Sequence, residues 1–220
     1  MQLDKKELAR YIDHTYLRPE GRESAIRKLC REARDYGFAA VAIGPYYIPL
    51  AAEELRGTDI DLSAAVGFPL GYTTTATKAF EAEEALQQGA TEIDMVANIT
   101  AVKSGFWSEV KKDIQATAEV CGKETICKVI FETCYLKRGE MERLAEICLE
   151  IEEVDFLKTS TGFGPEGARA EDVRLLGELT EGRKKIKASG GIRTLEDCEE
   201  MIEAGAERLG TSAGVALMEL

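Results

Sequence analysis

Four residues stand out by type and spacing: Asp94, Lys128, Lys158 and Lys187. Each lies in a short run rich in apolar and β-branched residues, and side chains of a strand alternate between its two faces. In residues 92–98, Glu92, Asp94, Val96 and Asn98 share one face and Ile93 and Met95 the other. Lys128, Ile130 and Glu132 oppose Cys127, Val129 and Phe131. Phe156, Lys158 and Ser160 oppose Leu157 and Thr159, and Lys185, Lys187 and Ser189 oppose Ile186 and Ala188. If the apolar faces pack on helices, one aspartate and three lysines converge on the inside, with positive charge in excess. Burial and like-charge repulsion both lower a lysine pKa, and a lysine brought toward neutrality attacks carbonyl carbon. The competing reading is a structural ion-pair network, because buried lysines need partners.

Anion-binding features accompany these residues. Gly162-Phe163-Gly164 follows the run that carries Lys158, Gly190-Gly191 follows the run with Lys187, and Gly210-Thr211-Ser212 comes later. Loops of this kind present backbone N–H groups to a phosphate, whereas the bland alternative is tight turn geometry. A metal centre is not expected. His14 is the single histidine, and the six cysteines (Cys30, Cys121, Cys127, Cys134, Cys148 and Cys198) form no C-x-x-C pair. In apolar runs, free thiols act as small hydrophobes.

The elements that must position these groups recur regularly. Strand-like runs cover residues 11–16, 38–43, 62–68, 92–98, 126–132, 155–161, 185–189 and 208–211. Between them lie helical stretches. In residues 74–88, Ala76, Ala79, Phe80 and Leu86 are spaced for one face. Residues 195–204 follow a capping-box signal, Thr194 with Asp197. Gly37, Gly89 and Gly205 supply left-handed helix ends. Eight strand–helix alternations in 220 residues predict a single-domain (β/α)8 TIM barrel over residues 1–220. An open doubly wound sheet is disfavoured, because Arg18-Pro19-Glu20-Gly21 after the first run is neither a G-x-G-x-x-G turn nor a P-loop.

Composition sets the outer limits. The formal charge of −12 argues against nucleic acid as a partner, since a basic face supplies that affinity. A local basic pocket for a phosphorylated small molecule remains compatible with it. No apolar run reaches the roughly 20 residues of a membrane span. The residues after Met1 have no signal-peptide core, so a cytoplasmic location is expected.

The same motifs resemble those of the deoxyribose-phosphate aldolase family. The residues concerned are Phe156–Gly164 (F-L-K-T-S-T-G-F-G), Lys187–Thr194 (K-A-S-G-G-I-R-T) and Glu92–Val96 (E-I-D-M-V). Ile12-Asp13-His14-Thr15, V-G-F-P-L-G from Val66 and K-V-I-F-E-T-C from Lys128 resemble the same family, so the likeness runs along nearly the whole chain in order. The resemblance implies a metal-independent class I aldolase with no cofactor. Its substrates would be a phosphorylated sugar and a small aldehyde, and its assembly a homodimer or homotetramer. It implies that Lys158 forms the imine, that Lys187 depresses the Lys158 pKa, and that Asp94 relays protons. Lys128, Asp13 and Thr161 would support this network, and Gly162, Gly190, Gly191 and Ser212 would hold phosphate. Some members use a C-terminal tyrosine in proton transfer. No tyrosine follows Tyr135 here, so that assistance is not expected. Competing readings are another Schiff-base phosphosugar aldolase and a non-catalytic phosphometabolite-binding barrel.

Overall fold

The apolar runs become eight strands: β1 Ile12–Tyr16, β2 Ala40–Ile43, β3 Asp61–Val66, β4 Glu92–Val96, β5 Ile126–Ile130, β6 Phe156–Lys158, β7 Lys185–Ser189 and β8 Arg208–Thr211. In the computed structural model, which describes residues 4–219, they pair in parallel, each with the next. β8 closes on β1 to form a barrel. Helix α1, Lys5–Ala9, precedes the barrel, and α2 Glu23–Tyr36, α3 Ile48–Glu54 and α4 Thr75–Gln87 follow the first three strands. Two helices, α5 Ile99–Lys103 and α6 Trp107–Cys121, follow β4. The outer layer is completed by α7 Arg138–Glu150, α8 Ala170–Thr180, α9 Leu195–Glu203 and α10 Gly214–Glu219. Among the described residues, no helix is long and apolar enough to cross a membrane.

Outward strand residues such as Ile93, Met95, Cys127, Val129, Leu157 and Leu209 are fully buried against the helices. Facing them, α2 contributes Ile26, Leu29, Cys30 and Ala33, spaced for one helical face. Inside the barrel the large and small residues are segregated. Lateral register puts Asp13, Ala40, Asp61 and Gly210 on one face with Ser63, Ala65, Asp94 and Lys128. Small residues of β2, β3 and β8 thus leave room for the lysines of β5, β6 and β7. At Gly210 a Cβ would lie 2.8 Å from the Ser189 Cβ, so a side chain there would collide with Ser189 on β7, next to Lys187.

Four strands stop short of the runs expected from sequence. β3 ends where Gly67 turns left-handed (φ 62°), and β5 ends before Glu132 (φ 51°). Asn98, expected on β4, instead caps α5 by accepting from the Ala101 N–H (3.1 Å). Thr161, expected on β6, turns its N–H to the Glu132 carboxylate (3.1 Å). The capping box at Thr194 and Asp197 forms as expected.

Helix α4 corrects one expectation. Its buried residues are Lys78, Ala82 and Ala85, whereas Phe80 is 64% exposed. The reason is a buried ion pair that apolar periodicity does not report. Lys78 Nζ donates to Asp113 Oδ2 on α6 (2.6 Å) and to the Val96 carbonyl at the end of β4 (2.7 Å). Burial pushes the Lys78 ammonium down and the Asp113 carboxyl up. Asp113→Ala would leave a buried ammonium without its counter-charge, at a cost of about 3–5 kcal/mol. Urea unfolding should show that loss, and a Lys78→Met/Asp113→Leu double variant should recover much of it.

Candidate active site

Asp94 sits at the centre of the barrel interior. Its Oδ2 accepts from Lys158 Nζ and Lys187 Nζ, both at 2.7 Å. Its Oδ1 lies 2.9 Å from Lys128 Nζ and accepts from Ser63 Oγ at 2.9 Å. Asp94, Lys128, Lys158 and Lys187 therefore converge as the strand alternation predicts. Asp13 joins them through a short ion pair to Lys187.

The structure adds residues that sequence reasoning missed. Glu92 forms a short ion pair with Lys128, and Arg208 bridges Glu92 Oε1 (2.5 Å) and Asp13 Oδ1 (2.8 Å). The interior thus holds Lys128, Lys158, Lys187 and Arg208 against Asp13, Glu92 and Asp94, a smaller excess of positive charge than three lysines around one aspartate. Glu92 lay on the charged face in the alternation, which was a usable signal. Arg208 opens the run 208–211 as its one charged residue, beside Leu209, Gly210 and Thr211, so nothing in that run marks it as an inward charge. Lys185, on the same alternating face as Lys187, is exposed at the opposite end of the barrel.

The lysines are not equivalent. Lys128 is bonded to Glu92 and Asp94, and Lys187 to Asp13 and Asp94, whereas Lys158 has Asp94 alone. The Lys158 side chain retains 5% exposure, and those of Lys128 and Lys187 are sealed at 0%. Burial lowers the Lys158 pKa most; Asp94 pulls it back, and Lys187 and Lys128 lower it again, leaving it at about 8. At Lys128 burial acts in the same direction, but Asp94, Glu92 and Asp13 outweigh it and hold the ammonium charged. Burial would raise the Asp94 pKa, yet Lys128, Lys158 and Lys187 overcome that and hold it well below the carboxylate range.

The loops after β6, β7 and β8 are stitched together over this cluster. Ser189 N–H donates to Thr159 Oγ1 (3.1 Å), and Thr211 Oγ1 donates to the Ile192 carbonyl (2.7 Å). Gly162, Gly190 and Gly191 all have φ between 82° and 87°. A Cβ on Gly190 would lie 3.1 Å from the Gly167 Cα and 3.2 Å from the Gly162 Cα, so the two loops touch through glycines. Ser212 is exposed just after β8. Thr161 departs from its expected place. It makes no bond to the lysine cluster and is held instead by Glu132. His14 faces outward from β1 and lies 3.0 Å from Glu32 on α2. Among the described residues, no three His, Cys, Asp or Glu side chains cluster as metal ligands.

The sequence profile of the DeoC/LacD family aldolases matches residues 8–218. The chain belongs to the DeoC/LacD aldolase family. The deoxyribose-phosphate aldolase of Clostridium novyi is 48% identical over 212 residues, 96% of this chain and 95% of that protein. That of Caldanaerobacter subterraneus subsp. tengcongensis is 50% identical over 214 residues, 96% of this chain and 92% of its own. The solved tetrameric deoxyribose phosphate aldolase from Aeropyrum pernix superposes with a TM-score of 0.91 at 31% identity, covering 98% of this chain and 91% of that one.

For an aldolase of this family the Lys158 pKa matters directly. At pH 7 a lysine of pKa 8 is neutral about one time in ten, against roughly one in 2,500 for an unperturbed lysine. Reductive trapping of a small aldehyde should accelerate as pH rises through about 8. Removing the neighbouring cation in Lys187→Met should move that inflection upward, because Lys187 disfavours the charge on Lys158. An unmoved inflection would show that Lys187 does not tune the nucleophile.

Proposed function

We propose that this protein is a deoxyribose-phosphate aldolase. It cleaves 2-deoxy-D-ribose 5-phosphate reversibly to D-glyceraldehyde 3-phosphate and acetaldehyde through a Schiff base on Lys158. The observation that carries this reading is Lys158 itself: a lysine with a pKa of about 8, bonded to a single carboxylate.

The neutral Lys158 amine attacks C1 of the open-chain sugar, and loss of water gives an iminium. The C3 hydroxyl then loses its proton, and the C2–C3 bond breaks. Its electron pair moves into the C1–C2 bond as an enamine, and C3 leaves as the aldehyde of glyceraldehyde 3-phosphate. Protonation at C2 and hydrolysis release acetaldehyde and restore the amine. Because the iminium takes up the electron pair, the step needs no Lewis acid. Lys187 and Asp94 act together in the proton transfers: the lysine holds a proton, and the carboxylate orients it and accepts it in transit. Lys128 and Asp13 hold Asp94 and Lys187 in place. Backbone N–H groups at Gly162, Gly190 and Gly191, with Ser212, receive the phosphate. Self-association like that of the Aeropyrum pernix tetramer and a cytoplasmic setting belong to the same reading.

Cleavage of deoxyribose 5-phosphate, followed by glyceraldehyde 3-phosphate release, tests the activity, which should persist after exhaustive EDTA treatment. Acetaldehyde with borohydride should place one ethyl group on Lys158, and Lys158→Leu should lose label and turnover together. A label on Lys128 or Lys187 would overturn the assignment. Asp94→Asn should slow exchange of the acetaldehyde methyl protons in deuterated water by orders of magnitude. Wild-type exchange in that variant would leave Asp94 an ion-pair partner only.

A further inference from the structure

Glu132 is a buried carboxyl for which the chemistry above has no use. It is 3% exposed and stands two residues past the end of β5. Its φ of 51° is left-handed, a conformation that residues with a side chain seldom adopt. No lysine or arginine nitrogen among the described residues lies within ion-pair distance of it. A buried carboxylate without a counter-ion is costly, and so is the backbone strain. Two unfavourable features at one residue, just past the end of a barrel strand, call for a compensating role.

That role is visible in what the carboxylate holds. Oε1 accepts from the Thr161 N–H at 3.1 Å, and Oε2 accepts a short hydrogen bond from Thr161 Oγ1. Thr161 Oγ1 in turn accepts from the Phe163 N–H at 3.0 Å. Gly164 packs on the same carboxylate, since a Cβ there would lie 3.3 Å from it. Glu132 thus holds Thr161 directly and Phe163 through the Thr161 hydroxyl, the residues on either side of Gly162. Gly162 in turn abuts Gly190, its partner in the glycine pair between the β6 and β7 loops. The bonds to Thr161 and Phe163 also occupy those N–H groups and turn them away from any bound anion.

The geometry points to Glu132 as a positioning residue that presets the loop after β6 for the phosphate end of the substrate while leaving the imine chemistry at Lys158 untouched. The inference rests on the aldolase reading above. It makes a distinction that a general structural role does not: loss of the clamp should harm phosphorylated substrates selectively.

The test compares 2-deoxyribose 5-phosphate with unphosphorylated 2-deoxyribose in wild type, Glu132→Gln, Glu132→Ala and Thr161→Val. Wild-type turnover of the phosphorylated sugar, measured first, examines the aldolase reading by itself. In Glu132→Ala the KM for the phosphorylated sugar should rise about ten- to a hundredfold, the range of one charge-assisted hydrogen bond. Inorganic phosphate should weaken as a competitive inhibitor to a similar extent. Values of kcat/KM for 2-deoxyribose and acetaldehyde trapping on Lys158 should stay within about twofold, a change too small to match the loss of one hydrogen bond. Glu132→Gln should fall between, because its amide can still accept from Thr161 N–H but leaves the Thr161 hydroxyl proton without a partner. Thr161→Val should reproduce the Glu132→Ala pattern, and the double variant should add little to either. It also supplies the measurement if Glu132→Ala does not fold. Equal losses on both sugars would overturn the inference and make Glu132 a part of the fold or of the imine step. Unchanged KM and phosphate inhibition would overturn it as well.

Discussion

The bond network of Asp94 sets the terms for the rest of the interior. Three ammonium groups converge on one carboxylate in the buried interior of the barrel, with only Lys158 keeping a small exposure. Such a cluster is tolerable only when attraction within it exceeds the cost of desolvating each charge. The surplus cation charge around Asp94 is therefore divided among further carboxylates. Glu92 takes up Lys128, Asp13 takes up Lys187, and Arg208 links those two acids from the far side. Lys158 alone is left without a second acid. The arrangement keeps most of the network charged and fixed while leaving one amine easily neutralised.

The barrel makes this arrangement affordable through its own geometry. Eight parallel strands bring side chains from distant parts of the sequence to one layer, such as Asp94 and Lys187, which are 93 residues apart. Long side chains on β5, β6 and β7 are matched by Ala40, Ser63 and Ala65 across the barrel and by Gly210 on the neighbouring β8. Strands that stop early at β5 and β6 then release Glu132 and Thr161 from the ladder, and the two bind each other at the mouth. The part of the interior nearest the start of β4 and β8 is ion-paired and sealed, and reactivity is confined to the end where the loops begin.

Much of this was legible in the amino-acid order, for identifiable reasons. Strand periodicity has a period of two and needs only three or four residues to declare a face, so Asp94, Lys128, Lys158 and Lys187 could be placed inward together. Their residue types then fixed the chemistry. Arg208 and Ser63 stayed hidden because each stands among small and apolar neighbours whose two faces look alike, and nothing in the chain order shows the carboxylates they reach. Glu132 fitted the β5 alternation, and nothing in a glutamate marks a left-handed backbone; only the folded contact with Thr161 explains it. Helix α4 misled in the other direction. Apolar spacing favoured the face with Phe80, whereas the ion pair between Lys78 and Asp113 turned a lysine inward. Hydrophobic periodicity carries no information about a charge whose partner lies 35 residues away.

The choice of nucleophile follows from counting what each lysine would forfeit. Forming an imine turns an ammonium with three N–H donors into an iminium with one. For Lys128 the single N–H could keep only one of the bonds to Glu92 and Asp94, and for Lys187 only one of those to Asp13 and Asp94. Either loss would leave a fully buried carboxylate short of a partner. Lys158 has a single bond to give up, and one remaining N–H is enough to keep it. Asp94 also retains Lys128 and Lys187 throughout, so its charge stays compensated while Lys158 passes from ammonium to amine to iminium. Burial lowers both pKa values; at Lys158 a single carboxylate does not offset it, whereas at Lys128 several acids outweigh it. Reactivity at this site is therefore a property of unequal pairing among chemically identical side chains, and the second acids on Lys128 and Lys187 are as much a part of it as Lys158.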